Sequence, residues 1–279
     1  MREIQSDTIV QAVRELCIRA CRELPEDIVH AMEKAKAEET WPEARSILDI
    51  LLENQEIARR TQVLVCQDTG MTVVFAEVGQ EVHIQGDFEA AIQKGVHLGY
   101  TEGYLRKSVV RDPLDRVNTG DNTPAIVHVR LVPGDKLRLI VAPKGAGSEN
   151  MSRLTMLTPA QGLEGVRRFV METVEMAGSN PCPPMILGIG IGGNFETAPL
   201  LAKQALLAAQ DAHHPDARYA ALEEAWLEEI NASGIGPQGL GGRTTCLGVH
   251  ILAMPTHIAC LPVAVNVGCH VTRHAETVL

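Results

Sequence analysis

The sequence of 279 residues contains seven cysteines but no C-x-x-C pair. Closed structural zinc sites and ferredoxin clusters normally take four protein ligands, and their thiolates usually occur as such local pairs. The absence of these pairs argues against a closed metal site of that kind. A metal centre in this chain would have to gather cysteines that are far apart in sequence, so it would depend on the tertiary fold.

The sequence also lacks long apolar runs. No run of about 18 apolar residues offers a membrane span, and the first residues, MREIQSDTIV, lack the apolar core of a secretory signal. Cysteines without an export signal belong to a reducing compartment, where they remain thiols or bind metal instead of forming disulfides. We therefore expect a cytoplasmic protein with no membrane partner.

Basic residues are in deficit. The chain has 25 Lys and Arg against 35 Asp and Glu, which gives a formal net charge of −10 at pH 7. A nucleic-acid surface needs a basic stripe that neutralises phosphates, so this composition argues against a nucleic-acid partner. An anionic small-molecule substrate is compatible with it if a few cations are gathered locally.

Three of the cysteines lie in unlike segments that are rich in turn formers and polar groups. Cys66 lies in VLVCQDTG, Cys182 in SNPCPPM and Cys269 in NVGCHVTRHA. Three thiolates with no fourth equal partner are typical of an iron–sulfur cluster in which one iron is left open for chemistry. The three segments therefore predict a catalytic centre.

The other four cysteines have apolar neighbours. Cys17 and Cys21 lie four residues apart on the apolar stripe of a predicted helix, which favours core positions over a metal-binding pair. Cys246 in TTCLGVHI and Cys260 in HIACLPV are also predicted to be core residues. From the residues alone, both remain rivals of Cys269 as the third cluster ligand.

The pattern of apolar residues predicts an α+β fold. Helical spacing occurs three times within residues 5–60. β-branched runs predict a strand on each side of the polar loop at Cys66, and IVHVRLV and KLRLIVA, joined by PGD, predict a hairpin. We expect a single domain over residues 1–279, with a helical N-terminal lobe over residues 1–60.

The segment GIGIGGN contains a G-x-G-x-x-G spacing at Gly188, Gly190 and Gly193. This spacing after a strand and before a helix is the setting of a dinucleotide-binding fingerprint. Here it comes late in the chain, without repeated βαβ units and without a clear acidic residue at the expected distance. Close packing between a strand and a helix is the favoured interpretation.

Eight motifs occur in the following order: CQDTG, VNTGDNTPA, PKGAGSEN, NPCPP, GIGIGGNFE, IGPQGLGGRTT, PTHIACLPVAVN and CHVTRHAE. Together they resemble the iron–sulfur-dependent class I fumarate hydratases, from about residue 5 to the end of the chain. The resemblance is greater still to the separate α subunit of the two-subunit form, which is related to the L-tartrate dehydratase α subunit. It implies small mixed β-sheets surrounded by helices.

The resemblance also implies the site residues. Cys66, Cys182 and Cys269 match the three cysteines that hold a 4Fe-4S cluster with one open iron, whereas Cys246 stands where relatives place varied small residues. We expect Asp68 to be catalytic, as the general acid or base that moves the proton to or from the leaving oxygen. The positions that match the family's substrate-binding residues are Gln67, Asp68, Arg106, Gly147 and His257.

The resemblance further implies a partner. The chain stops where the one-chain enzymes continue into a second domain that carries the catalytic base, so a β subunit is expected to supply it, in an assembly of two α and two β chains. The PKGAGSEN loop favours fumarate as substrate, with L-tartrate as the alternative. A non-catalytic iron–sulfur sensor or assembly module is the alternative of another class.

Overall fold

A computed structural model describes residues 2–279, which form a mixed arrangement of helices and sheets. The α+β prediction is confirmed, as are the three N-terminal helices. No helix among the described residues is long and apolar enough to cross a membrane. Residues 2–279 contain eight α-helices: α1 (Ser6–Arg22), α2 (Glu26–Glu38), α3 (Pro42–Thr61), α4 (Phe88–Glu102), α5 (Ala146–Glu149), α6 (Gly162–Ala177), α7 (Thr197–Ala205) and α8 (Ala217–Asn231).

The strands form one two-stranded sheet and two four-stranded sheets. Their orders are β1-β3, β10-β5-β2-β4 and β6-β9-β7-β8. Residues 2–279 contain ten strands: β1 (Arg2–Gln5), β2 (Met71–Gly79), β3 (Val82–Gln85), β4 (Ile126–Val132), β5 (Leu137–Lys144), β6 (Arg153–Leu157), β7 (Met185–Gly192), β8 (Cys246–Met254), β9 (Leu261–Gly268) and β10 (Ala275–Val278).

The chain divides into two compact units. Unit 1 consists of the N-terminal segment as far as Pro25, Asn54–Ala146 and Arg273–Leu279, and unit 2 consists of Glu26–Glu53 and Gly147–Thr272. Each unit has its own apolar core and its own four-stranded sheet. The single domain expected over residues 1–279, with its lobe over residues 1–60, stays a prediction.

In unit 1, α1 packs closely against α4. The apolar residues of α1 recur at helical spacing, and Val13 and Cys17 are completely buried. Two glycines of α4 allow the approach, because a Cβ on Gly95 would lie 2.7 Å from Val13 Cβ and one on Gly99 would lie 2.8 Å from Cys17 Cβ. The glycines therefore bring the helices together and leave Tyr100, the next residue of α4, fully buried.

The predicted hairpin of β4 and β5 is wrong. Both strands pair with β2, which lies between them, β4 in parallel and β5 in antiparallel orientation. Strand β2 is buried along most of its nine residues, whereas β4 is largely exposed. The more buried strand therefore takes the central position, and the turn after β2 bonds the end of β4, where Gln80 N donates to Val132 O at 2.9 Å.

The strand predicted just before Cys66 is also wrong, because α3 continues to Thr61 and an irregular segment follows. The backbone of this segment bonds to groups outside any sheet. Val65 N donates to Cys21 O at 3.0 Å, and Asn54 Nδ2 donates to Val65 O at 2.9 Å. With these groups satisfied, the segment does not need a strand partner.

In unit 2, the central strand β7 is buried at every position. A Cβ on Gly188 would lie 2.0 Å from Ala202 O, and one on Gly190 would lie 2.1 Å from Ala198 O. Side chains at these positions would collide with the backbone of α7. The interpretation of GIGIGGN as a close strand–helix contact is thus confirmed.

Candidate functional site

The CQDTG motif forms the loop between α3 and β2 in unit 1, and its hydrogen bonds hold Asp68 next to Cys66. Asp68 N donates to Cys66 Sγ at 3.4 Å, and the carboxylate accepts from Gly70 N at 3.1 Å and from Ala146 N at 2.9 Å. Both carboxylate oxygens are therefore fixed by backbone N–H groups. Cys66 and Asp68 are half-buried, and Gln67 is exposed.

The buried side chain of Tyr100 hydrogen-bonds the backbone of this loop. Its hydroxyl donates to Thr69 O at 2.6 Å and accepts from Thr72 Oγ1 at 3.2 Å, and it also lies 3.2 Å from Gly70 O. Burial raises the pKa of Tyr100 well above its usual value. The protonated hydroxyl is thus a permanent donor to the loop at physiological pH.

Asn122, from the motif VNTGDNTPA, connects the CQDTG loop to the segment after Arg106. It is fully buried, and its left-handed backbone has a φ of 63°. Its Oδ1 accepts from Ser108 N at 2.6 Å and from Val109 N at 3.2 Å, and its Nδ2 donates to Gly70 O at 3.0 Å.

A second hydrogen bond connects the CQDTG loop to the Arg106 segment. Thr69 Oγ1 donates to Arg106 O at 2.8 Å. The Arg106 side chain is exposed, and its Nε lies 3.4 Å from Ser108 Oγ. Unit 1 therefore brings Gln67, Asp68 and Arg106 into one neighbourhood with Cys66.

Arg273, in the CHVTRHAE motif, also supports the CQDTG loop. It is buried, and its guanidinium donates to Asp68 O at 2.5 Å. Burial raises the pKa of the Cys21 thiol, and the positive charge of Arg273 opposes this rise. Cys17 and Cys21 are both buried, so their prediction as core residues is confirmed.

In unit 2, Cys182 lies in an exposed turn that leads into β7. It has a φ of 54°, a left-handed conformation that is uncommon for residues other than glycine, and Cys182 N donates to Ser179 O at 3.1 Å. His270 N and His270 Nδ1 lie 3.4 Å and 2.9 Å from Cys182 O. Because His270 follows Cys269, the Cys182 and Cys269 segments adjoin.

The two rival cysteines differ from each other. Cys246 begins β8 and is buried, its thiol donates to Gly248 O at 3.2 Å, and burial raises its pKa to about 12. A thiol held protonated in this way is a poor metal ligand. Cys260, also predicted to be a core residue, is instead half-buried, because it lies in the turn between β8 and β9.

Gly147 and His257 are both exposed residues of unit 2. A Cβ on Gly147 would meet only Asn180 O, at 3.7 Å, so a small side chain fits there. His257 Nδ1 accepts from Ala259 N at 3.1 Å. In the neutral ring the proton is then on Nε2, which can donate to a substrate carboxylate.

The predicted site residues are thus divided between the units. Within neither unit, over residues 2–279, do three or more His, Cys, Asp or Glu side chains form a group that could hold a metal ion. The exposure of the three predicted ligands does suit iron, because Cys182 is exposed and Cys66 and Cys269 are half-buried, in contrast to Cys246. Joint ligation by all three stays a prediction.

Four residues that hold these loops have no predicted role from the sequence, namely Tyr100, Asn122, Gln238 and His270. Asn122 and Gln238 lie in the motifs VNTGDNTPA and IGPQGLGGRTT, which carry the resemblance to the family but no predicted site residue. An Asn or Gln among glycines in a turn-rich segment was the available signal, since such residues tolerate left-handed backbone and bond nearby peptide groups. Tyr100 gave no signal within its helical segment.

Comparison with known proteins gives a consistent family. A sequence model of the family described as fumarate hydratase (Fumerase) matches residues 10–278. A Methanocaldococcus jannaschii protein provisionally named L(+)-tartrate dehydratase subunit alpha is 42% identical over 277 residues, which cover 97% of this chain and 95% of that protein. The L(+)-tartrate dehydratase subunit alpha of Escherichia coli K12 is 33% identical over 254 residues, which cover 90% of this chain and 84% of that protein. The chain therefore belongs to the fumarate hydratase (Fumerase) family of hydro-lyases.

Proposed function

We propose that this chain is the α subunit of a cytoplasmic hydro-lyase that reversibly hydrates fumarate to (S)-malate. The observation that carries the proposal is the contrast among the cysteines. Of the three in polar, turn-forming motifs, Cys182 is exposed and Cys66 and Cys269 are half-buried, whereas Cys17, Cys21 and Cys246 are buried. Cys260 is half-buried as well, but it lies in an apolar segment. The family match and the order of the motifs support the same conclusion.

Cys66, Cys182 and Cys269 would together hold a 4Fe-4S cluster that leaves one iron without a protein ligand. When bound, such a cluster supplies a Lewis acid for the hydroxyl group that leaves malate, since hydroxide is a poor leaving group. Cys246 is excluded from the ligand set because its buried sulfur already donates to Gly248 O.

Asp68 is the acid–base residue in this proposal. The backbone N–H groups of Gly70 and Ala146 orient its carboxylate, so the proton can be taken from or returned to the substrate oxygen at a defined position. Positioned acid–base groups of this kind typically contribute about 10² to 10⁴ in rate.

Arg106 and His257 would bind the two carboxylates of the substrate, and Gln67 and Gly147 would complete the contacts. The exposed guanidinium of Arg106 and the Nε2–H of His257 are donors that suit carboxylate oxygens. Together they would offset the negative charge of the substrate, which the net charge of −10 does not do.

The proposed partner is a β subunit that supplies the catalytic base, in an assembly of two α and two β chains. The relatives' printed names, which call them subunit alpha, support a partner. Those names also favour a second candidate substrate, L-tartrate, which undergoes the same chemistry on a diacid with one more hydroxyl.

The test is the turnover of the chain combined with its partner under anaerobic conditions. We expect a higher kcat/KM for malate than for L-tartrate, and the reverse order would establish the second candidate. An intact cluster with no turnover of either diacid would instead support an iron–sulfur sensor or assembly module.

An Asp68→Asn variant tests the acid–base role within the same experiment. We expect the cluster to remain and turnover to fall about 10² to 10⁴-fold. Near-normal turnover in a cluster-containing sample would rule out that role for Asp68.

A further inference from the structure

Two consecutive carbonyl groups at the Cys182 turn each receive two donors from a single residue. Cys182 O lies 3.4 Å from His270 N and 2.9 Å from His270 Nδ1. Pro183 O accepts from Gln238 N and from Gln238 Nε2, both at 2.7 Å. The backbone that carries the Cys182 sulfur is therefore held from two other loops of unit 2.

The donor roles are consistent only with one tautomer of His270. A ring nitrogen 2.9 Å from a carbonyl oxygen must carry the proton, so Nδ1–H donates to Cys182 O. Gln238 Nε2 lies 3.3 Å from the same Nδ1, and since both are donors this contact is packing between the two side chains. The Gln238 amide and the His270 ring thus pack against each other, and they donate to Pro183 O and Cys182 O respectively.

Gln238 adopts a strained backbone in order to make its two bonds. Its φ and ψ are 56° and 15°, a left-handed conformation that is unfavourable for a residue with a Cβ. The surrounding glycines bring the loop close to the turn, because a Cβ on Gly239 would lie 2.2 Å from Ser179 Cβ. Ser179 O in turn accepts from Cys182 N at 3.1 Å.

We propose that Gln238 is a positioning residue that, together with His270, fixes the direction of the Cys182 sulfur. Cys182 is exposed and has a left-handed backbone; the flanking prolines limit its dihedral angles, and the donors from Gln238 and His270 fix the orientation of the two carbonyls. Groups that orient metal ligands in this way typically change metal retention by 10- to 100-fold when they are removed. The use of the sulfur as an iron ligand rests on the proposed function, whereas the positioning itself does not.

Two variants of Gln238 separate the contribution of its side-chain amide from that of its backbone N–H. Gln238→Gly keeps the backbone donor and tolerates the φ angle, and Gln238→Glu replaces the Nε2 donor with an oxygen that repels Pro183 O. The matched control is Gln62→Gly in unit 1, because Gln62 also has a left-handed φ, of 57°, and its Nε2 also donates to a carbonyl, Arg59 O at 2.8 Å.

The first measurement is hydrogen exchange at the Cys182 amide in the full chain without metal. We expect exchange to be at least about 10-fold faster in both Gln238 variants and unchanged in Gln62→Gly. Unchanged exchange in folded Gln238 variants would overturn the positioning role. If neither variant folds, hydrogen exchange is measured at the backbone amide of Gln238 in the wild-type chain. Exchange at the rate of an open loop would overturn the positioning role, and strong protection would support it.

The second measurement is the rate at which a reconstituted cluster is lost to a chelator. We expect loss to be about 10-fold faster in both Gln238 variants than in the wild type or Gln62→Gly. An equal rate would overturn the link between positioning and iron retention. If the wild-type chain takes up no cluster, the proposed function fails, and hydrogen exchange still decides whether Gln238 holds Cys182.

Discussion

The Cys66 loop and the Cys182 loop are held by different means. Buried side chains of the unit 1 core, Tyr100 and Asn122, bond the backbone around Cys66, whereas Gln238 and His270, which belong to other loops, bond the backbone around Cys182. The first arrangement couples the geometry of a cysteine loop to the stability of its unit. The second allows a loop to be positioned with little consequence for the core.

Asn122→Ala should give the largest loss of stability. It removes the acceptor of Ser108 N and Val109 N and the donor to Gly70 O, in a fully buried place. Gly70 O keeps the Tyr100 hydroxyl as a donor at 3.2 Å, so two backbone N–H groups are left without a partner. Unsatisfied buried groups of this kind cost about 1–3 kcal/mol each, so we expect the free energy of unfolding to fall by about 2–6 kcal/mol. Urea unfolding measures it.

The matched control is Asn118→Ala. Asn118 makes two similar bonds, to Lys107 O at 3.0 Å and from Gly120 N at 2.8 Å, but it is exposed, so its loss should cost less than about 1 kcal/mol. Equal losses for the two variants would contradict the coupling between the Cys66 loop and the core.

Tyr100→Phe should have the next largest effect, because it deletes the donor to Thr69 O and leaves the ring in place. The Phe ring also cannot accept from Thr72 Oγ1, so two buried hydrogen bonds are lost and the free energy of unfolding should fall by about 1–3 kcal/mol. It should also speed hydrogen exchange in the CQDTG loop and leave the Cys182 loop unchanged. Faster exchange in both loops would show that the two loops are not held separately.

The free energy of unfolding should fall at alkaline pH because of the buried Cys246 thiol of unit 2. Burial raises the pKa of Cys246 from its ordinary 9.0 to about 12, so between these values the unfolded state loses a proton that the folded state keeps. This contribution to stability is complete below pH 9 and is lost as the pH rises toward 12, by up to about 1.4 kcal/mol per pH unit. The stability difference between wild type and Cys246→Ala should shrink accordingly in urea unfolding; a constant difference would contradict a buried neutral thiol.

Gln238→Gly should have the smallest effect on stability. One side-chain hydrogen bond is lost and the strain of a left-handed residue is relieved, so the free energy of unfolding should stay within about 1 kcal/mol of the wild type. A loss as large as that of Asn122→Ala would mean that the Cys182 loop, too, is part of the core.

Local patterns in the sequence predicted the helices, the α+β class and the close packing at Gly188 and Gly190. They failed where pairing is decided by the whole sheet, since the apolar β2 separates two strands that are adjacent in sequence. They also failed before Cys66, where the contacts of Val65 with Cys21 and Asn54 override a β-branched run.

For the candidate site, too, local patterns in the sequence predicted local features and missed long-range contacts. The motifs identified Cys66, Cys182 and Cys269 as lying outside helices and strands, because proline, glycine and aspartate have local preferences that the sequence displays. They missed Cys260, whose apolar neighbours hide the turn in which it lies. They did not identify Tyr100 or His270, whose roles depend on bonds to residues 31 and 88 positions away. Long-range hydrogen bonds of this kind have no periodic signal in a single sequence.

The central claim is that Cys66, Cys182 and Cys269 share one cluster and that Cys246 does not. The most direct test is the iron and acid-labile sulfide content of chains reconstituted without oxygen, with visible absorbance recorded on the same samples. The account predicts about four irons and four sulfides in the wild type and in Cys246→Ala, and no stable cluster in Cys66→Ala, Cys182→Ala or Cys269→Ala. A full cluster in Cys269→Ala together with its loss in Cys246→Ala would contradict it.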